Sequence, residues 1–479
     1  MKKIKIGLVG VYLTKFNVSL ALNEYQRAIR ALEKLSRETG IFDFYPIPKP
    51  LISKEEAIKA QRQMEEQNLD FLIIHHSSFS SGEIILPLAE IDTYLGMWAI
   101  PEPTEEGPLP LGSLVGVNMY ASILGHYLRD YKIRFKWFFG SPESETFIES
   151  FKVTLKAIRT IKSLRDSRIG LIGGIAQGFY DLYFDERRLR SIYGVSVYTH
   201  ELSEVLKKAE SYSENKIGRL IEDIKTEGQS KNIDKKYFEK AARVYLALEE
   251  ISRENGYEAL AISCWPKFQD EYEFAPCSTI GRLNQNGIVA ACEGDILGAL
   301  SMLILNYLND NKYPVTIMDL PKFDMKDDSL LLWHCGPSAQ WWANDKGMTY
   351  CTHFNLGVRR PDGSFQKVGI VNDLIFKEQD VTIMRIVNDG TRMLLTTGRT
   401  IDQNKKSYDG SRGWLGEVRM INKKVSALDF VNTVIVYRLP HHFPLALGNL
   451  GDELMEISSW LGVEPLEPVP YRKYMQNPR

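Results

Sequence analysis

The chain has 479 residues, which at ~100–200 residues per domain allows two to four domains. Hydrophobic residues make up 44% and charged residues 25%, values that exclude a disordered or fibrous chain. Fifty-nine Lys and Arg against 61 Asp and Glu leave a net charge of −2, a balance that selects neither nucleic acid nor an anionic membrane.

The opening run MKKIKIGLVGV places lysines before a short apolar stretch. It lacks a long apolar region and a small-residue cleavage site, so it reads as a first strand and not as a signal peptide. No stretch approaches ~18 uninterrupted apolar residues, so no membrane span is expected. The five cysteines (Cys264, Cys277, Cys292, Cys335, Cys351) are odd in number, contain no C-x-x-C and fall in one stretch. Reduced thiols in a cytoplasmic protein fit that pattern better than a disulfide framework.

The first third alternates strand and helix. Residues 4–11 read as a buried strand. Over 20–38, Leu22, Tyr25, Ile29, Leu32 and Leu35 recur at helical spacing before Gly40, a C-terminal breaker. A short strand at 41–47, a helix at 55–67 and a buried strand at 71–74 follow, and such alternation implies a parallel, doubly wound sheet. The pattern restarts beyond a helix ending near Leu164. Strands are expected at 168–172, 195–198, 259–264, 287–292 and 315–318, with helices at 235–254 and 295–308. A Gly-rich turn, Gly173 to Gly178, follows the first of these strands. Beyond residue 330 the texture changes to strands at 330–333, 357–360, 366–371, 381–387 and 392–397. Asn388-Asp389-Gly390 marks a hairpin between the last two. A strand at 433–438, a helix at 453–461 and a Pro-rich extended tail complete the reading. The expected architecture is two tandem doubly wound α/β domains, 1–166 and 167–319, then a mainly antiparallel, barrel-like β domain, 320–479.

The segment Ala291-Cys292-Glu293-Gly294-Asp295 is the most informative. An apolar strand ends in a carboxylate and a helix starts at once; in doubly wound sheets ligands bind at the carboxyl ends of strands. The strand PVTIM ends the same way in Asp319, so neighbouring strands would bring Glu293 and Asp319 together. Carboxylates so placed repel unless a cation or a shared proton relieves them. With His441-His442, after Pro440, they form a donor set that suits Mn²⁺ or a similar divalent ion. The same residues also fit a structural account: Glu293 facing a helix N-terminus, Asp295 capping that helix, Asp319 in a strand-end turn and His442 in the core.

Other features carry less. Gly173 to Gly178 fits neither G-x-G-x-x-G nor a P-loop, and Phe179 stands where a P-loop has lysine. His334-Cys335 is a poor nucleophilic pair, because adjacent side chains on an extended segment point to opposite faces. Trp265 follows a strand end and either stacks on a ligand or closes the core.

Several blocks together resemble the L-fucose isomerase and L-arabinose isomerase family: CWPKFQDEYEFAPC (264–277), AACEGDILGAL (290–300), Asp319, LLLWHCG (330–336), PHHFPLALGNLGDELMEISSWLGV (440–463) and the loop WAIPEPTEEGPLPLGSLVGVN (98–118). The resemblance implies two α/β domains and a β-rich C-terminal domain, a Mn²⁺ site, and a homo-oligomer, a hexamer in that family. It implies Glu293, Asp319 and His442 as metal ligands, with Glu293 and Asp319 as the acid/base pair. His441 falls where fucose isomerases tend to have asparagine, a substrate contact. His334 is similar in position to a further histidine of arabinose isomerases, and Trp265 is a candidate for stacking on the sugar. The implied reaction is metal-dependent aldose–ketose isomerisation of a deoxyhexose, pentose or hexose derivative, with a sulfonated hexose as an alternative. No nicotinamide or flavin is needed. A non-catalytic sugar-binding protein and a metal-dependent aldolase or hydrolase are the competing classes.

Overall fold

The computed structural model describes residues 1–387, 389–401 and 404–477. It divides into two compact units, Met1–Lys162 and Ser163–Arg479.

The first unit is built on a five-stranded parallel sheet. Its strands, in spatial order, are Phe42–Pro46, Ile4–Val11, Phe71–His76, Tyr94–Ala99 and Phe135–Phe139. Every residue of Phe71–His76 is buried, as a central parallel strand requires when helices cover the sheet. The helix Val18–Thr39 is capped by the Asn17 side chain, which accepts from the Leu20 amide at 3.1 Å. It ends at Gly40 in a left-handed conformation. It buries Ala21, Tyr25, Ala28, Ile29 and Leu32, whereas Leu22 stands at the stripe's edge, 37% exposed.

The second unit contains a four-stranded parallel sheet and a large mixed sheet. The parallel sheet runs Val289–Ala291, Ala259–Ile262, Arg168–Ile172, Ser196–His200. Within the mixed sheet, six strands close into an antiparallel ring. They are Arg392–Ile401, Asp380–Ile386, Phe443–Leu447, Thr316–Asp324, Ser329–His334 and Ser411–Met420, the last pairing back onto the first. The outer strands include parallel pairings, such as Ile370–Phe376 with Ser411–Met420. The hairpin expected around Asn388 is there as antiparallel pairing of Asp380–Ile386 with Arg392–Ile401; Asn388 itself lies outside the described residues.

One helix joins these layers. Ile296–Leu308 (ILGALSMLILNYL) is buried along its whole length. It packs on the parallel strands Ala259–Ile262 and Val289–Ala291 and on the ring strands Asp380–Ile386 and Phe443–Leu447. A helix covered on opposite sides must be apolar all round, which is why this segment lacks an amphipathic stripe.

Two expectations are corrected. Residues 433–438 are not a strand: the helix Ala427–Val436 occupies most of that stretch, capped by Ser426 Oγ accepting from the Asp429 amide at 3.1 Å. Thr433, Val434 and Val436 are buried while Ile435 faces out, and that one-sided burial, beside the strand Thr316–Asp324, overrides the local preference of its β-branched residues. Asp319 does not end a strand of the parallel sheet. It lies within Thr316–Asp324, a strand of the antiparallel ring.

Candidate active site

Glu293 occupies a reversal of the chain. The strand Val289–Ala291 ends, Glu293 and Gly294 take φ of 61° and 73°, and Asp295 caps the helix Ile296–Leu308. A left-handed φ on a residue with a side chain costs of order 1–3 kcal/mol and persists only where the surroundings enforce it. Here the Ala176 amide donates to the Glu293 carbonyl at 3.0 Å, and the Gly294 amide donates to Ile262 at 3.1 Å. A β-carbon on Gly294 would collide with the Gly174 carbonyl. The Gly-rich turn is thus the platform that holds Glu293, which explains its glycines without any phosphate.

The Glu293 carboxylate meets two histidines. Its Oε2 lies 3.0 Å from His441 Nε2 and 3.4 Å from His442 Nε2. Burial pushes the Glu293 carboxyl up, but the His441 hydrogen bond and the neighbouring His442 and His334 rings outweigh it, leaving it below its ordinary range. His441 Nδ1 also lies 2.7 Å from Asp181 Oδ2. Burial pulls His441 down, yet its bonds to Glu293 and Asp181 and the charge of Asp319 prevail, and its pKa is raised to about 9. His441 is therefore an imidazolium bridging two carboxylates at neutral pH.

His442 is fully buried. Its Nδ1 lies 2.9 Å from Asp295 Oδ2. Burial raises the Asp295 carboxyl, but the Arg385 guanidinium and His442 hold it well below the usual carboxylate range, so it accepts and Nδ1–H donates. That places a proton on Nδ1 and turns Nε2 towards the centre. It faces Glu293, His334 Nε2 at 3.4 Å and Asp319 Oδ1 at 4.0 Å. Asp295 does more than cap its helix. It accepts from the Gly298 amide at 2.8 Å, from His442, and from both terminal nitrogens of the fully buried Arg385.

His334 carries its proton on the other nitrogen. Its Nδ1 accepts from the Cys335 amide at 2.8 Å, so the proton of the neutral ring sits on Nε2. Burial lowers its pKa despite the charge of Asp319, which keeps it neutral. His442 turns Nε2 to the centre and His334 offers it an N–H. The argument from strand alternation against a His334–Cys335 contact fails, because the strand ends at His334. Cys335 Sγ turns back to lie 3.1 Å from His334 Nδ1.

Asp319 reaches the centre from the barrel, at a register shift between Asp319 and Lys322 in the pairing with Ser329–His334. Its Oδ1 is buried and has no hydrogen-bond partner among the described residues. A buried carboxylate oxygen without a donor is costly, and a cation would relieve it. Both carboxylates approach His442 Nε2, Glu293 at 3.4 Å and Asp319 at 4.0 Å, and two groups of potential donors to a cation share that histidine: Glu293 with His334, and Asp319 with His441. Glu293 and Asp319 come together, but from different sheets and not as neighbouring strand ends.

The remaining residues form one wall. The Trp265 and Phe179 rings meet edge-on at 5.7 Å, and Phe179 lies 5.4 Å from His441. Trp265 reaches the site through Phe179. Sequence reading did not single out Phe179, Asp181 or Arg385. The first two lie within three residues after Gly178, beyond the turn that was noticed; Arg385 is the next-to-last residue of the strand Asp380–Ile386, where only a charged residue in an apolar run marked it.

No family model matches the chain. Curated relatives do. A sulfoquinovose isomerase of Alkalicoccus urumqiensis is 29% identical over 425 residues, covering 88% of this chain and 91% of that protein. Proteins of the same name from Priestia aryabhattai and Clostridium sp. (strain MSTE9) are each 26% identical, covering 87% and 97% of this chain and 90% and 99% of their own lengths. They are named for a sulfonated sugar, not for the deoxyhexose and pentose substrates of the family whose motifs the sequence resembles. Among solved structures, a glucose-galactose binding protein from Geobacillus stearothermophilus is 14% identical, covers 66% of this chain and 94% of its own, and overlaps at a TM-score of 0.17, too poor a fit to bear on fold or function.

Proposed function

We propose that this chain is a metal-dependent aldose–ketose isomerase acting on a sulfonated hexose of the sulfoquinovose type. The observation that carries the reading is the convergence of Glu293, Asp319 and His442 Nε2, in a chain whose relatives along most of its length are named sulfoquinovose isomerases. In the proposal Glu293, Asp319 and His442 hold Mn²⁺ or a similar divalent ion. When bound, that ion supplies electrostatic stabilisation as negative charge develops on the two substrate oxygens.

The chain's own groups move the protons. Isomerisation takes a proton from C2 to C1 and a hydroxyl proton from O2 to O1. Asp319 takes the C2 proton and returns it at C1. Glu293, paired with the His441 imidazolium, passes the hydroxyl proton. The N–H on His334 Nε2 donates to a substrate oxygen, and the Trp265–Phe179 wall excludes water from the sugar's face. A homo-oligomer, a hexamer as in the isomerases the motifs resemble, belongs to the same proposal.

The test is incubation of the Mn²⁺-loaded protein with sulfoquinovose, L-fucose, L-arabinose and other aldoses in deuterated water. Ketose formed from sulfoquinovose, with solvent deuterium incorporated at C1 through exchange on the carboxyl before the proton is returned, is the expected result. Turnover of only the non-sulfonated sugars would overturn the substrate class, and binding without turnover would make the chain a sugar-binding protein.

A further inference from the structure

A second group of reactive side chains lies behind His334, and the proton transfers above leave it without a role. Cys277 opens the helix Cys277–Gln285 and is fully buried; Cys335 follows the strand Ser329–His334 and is half-buried. Their sulfurs are 3.5 Å apart. A ring nitrogen of His353 lies within 4.8 Å of both. His353 Nδ1 accepts from the Asn355 and Leu356 amides at 3.1 and 2.9 Å, so Nε2 carries the proton, and it is buried with no hydrogen-bond partner among the described residues.

These observations separate two uses of the cluster. A closed soft-metal site needs about four ligands. His353 presents an N–H where a ligand must present a lone pair, so only two sulfurs remain. A dithiol is what the geometry supports. The Cys335 S–H bonds to Cys277 and, with His353, holds the Cys277 thiol well below its ordinary range; the bond to Cys277 and burial push the Cys335 thiol up. A helix N-terminus also favours a thiolate at Cys277.

We propose that Cys277 and Cys335 are a modification site: a small hydroperoxide oxidises them to a disulfide, and this bond switches off the neighbouring centre by moving His334. The Cys277 sulfur attacks the terminal peroxide oxygen, the O–O bond breaks, and the other oxygen takes the thiol proton and departs as water from hydrogen peroxide or as an alcohol from an organic hydroperoxide, leaving a sulfenic acid. The Cys335 sulfur then attacks the Cys277 sulfur, the S–O bond breaks, and the second oxygen leaves as water with the remaining thiol proton. Two sulfurs lose two electrons and the peroxide gains them. Bond formation draws the sulfurs together by about 1.5 Å, to the ~2.05 Å of a disulfide. Cys335 Sγ must then leave His334 Nδ1, now 3.1 Å away. The Cys335 amide that orients the His334 ring is displaced with it, and His334 Nε2 loses its place 3.4 Å from His442.

The experiment titrates the Mn²⁺-loaded protein with hydrogen peroxide and maps peptides without reduction. A single Cys277–Cys335 cross-link with loss of two of the five free thiols is expected. Isomerase activity should fall at least tenfold with the same dose dependence and return with dithiothreitol, while Cys277→Ser should keep its reduced-state activity and resist peroxide. A cross-link between Cys264 and Cys292 alone, Cys335 oxidised to sulfinic acid without a cross-link, or a stoichiometric bound zinc shielding both thiols would overturn the site. The activity arm rests on the isomerase reading; the mapping arm does not. A cross-link in protein that turns over no sugar defeats that reading and leaves the site standing, whereas a cross-link without loss of turnover defeats the control of His334.

Discussion

Asp295→Asn isolates the group that supports the centre without belonging to it. The amide keeps the shape and an oxygen able to cap the helix at Gly298, so a residue that only capped would lose almost nothing. The carboxylate, however, accepts from both terminal nitrogens of Arg385, and both side chains are fully buried. Removing one charge of a buried pair costs about 3–5 kcal/mol, mostly from the ion left behind. The amide retains one hydrogen bond, so about 3 kcal/mol is expected. The same change removes the anion that keeps the proton on His442 Nδ1. Partners of that kind are worth about 10–100-fold in metal affinity. Urea unfolding of metal-free protein measures the first effect and calorimetric Mn²⁺ titration the second. Asp295→Asn with Arg385→Met should recover much of the stability, because no buried charge is left alone, while Mn²⁺ affinity stays low. A loss below about 1 kcal/mol with unchanged Mn²⁺ affinity would reduce Asp295 to a helix cap and refute the tautomer argument for His442.

Glu293→Gln should fold normally and lose turnover by about 10²–10⁴-fold, the usual scale of acid–base catalysis; retention of more than a tenth of wild-type turnover would return Glu293 to a strand-end carboxylate near a helix dipole. Chelation should abolish turnover, with Mn²⁺ or Co²⁺ restoring it better than Ca²⁺, since an imidazole donor disfavours the larger hard ion; full activity in protein shown metal-free by elemental analysis would end the metal reading. The first unit should be acid-labile: burial lowers His75 and His76 to about 3, so both stay neutral when folded and take up protons on unfolding below pH ~6.5. Stability is then present above that pH and is lost as pH falls towards 3, at about 1.4 kcal/mol per unit for each ring, or about 4 kcal/mol for both by pH 5. His75→Phe with His76→Phe should flatten that slope in urea unfolding; an unchanged slope would assign the lability elsewhere. Light scattering should find a homo-oligomer, and an active monomer would refute it.

Local pattern was enough for most elements. The stripe Tyr25, Ile29, Leu32 marks a helix because burial on one face repeats every 3.6 residues whatever lies opposite. The hydrophobic runs at 71–76 and 289–291 mark strands buried on both faces. Glu293 and Asp319 stood out as candidates because a carboxylate at the end of an apolar run is chemically conspicuous, whereas His442 was singled out from His441 only by the family resemblance. What pattern could not carry was the assembly. Asp319 belongs to the antiparallel ring and Glu293 to the parallel sheet, and residues 433–438 became helix under tertiary packing. The roles of the two central histidines were equally out of reach. A tautomer depends on what the second ring nitrogen meets: for His442 it is Asp295, 147 positions away, and for His334 the amide of the next residue. The sequence alone determined which groups were available; tertiary contacts between distant segments decided which gives a lone pair, which gives a proton, and which holds the others in place, because hydrogen-bond direction is a property of three-dimensional neighbours.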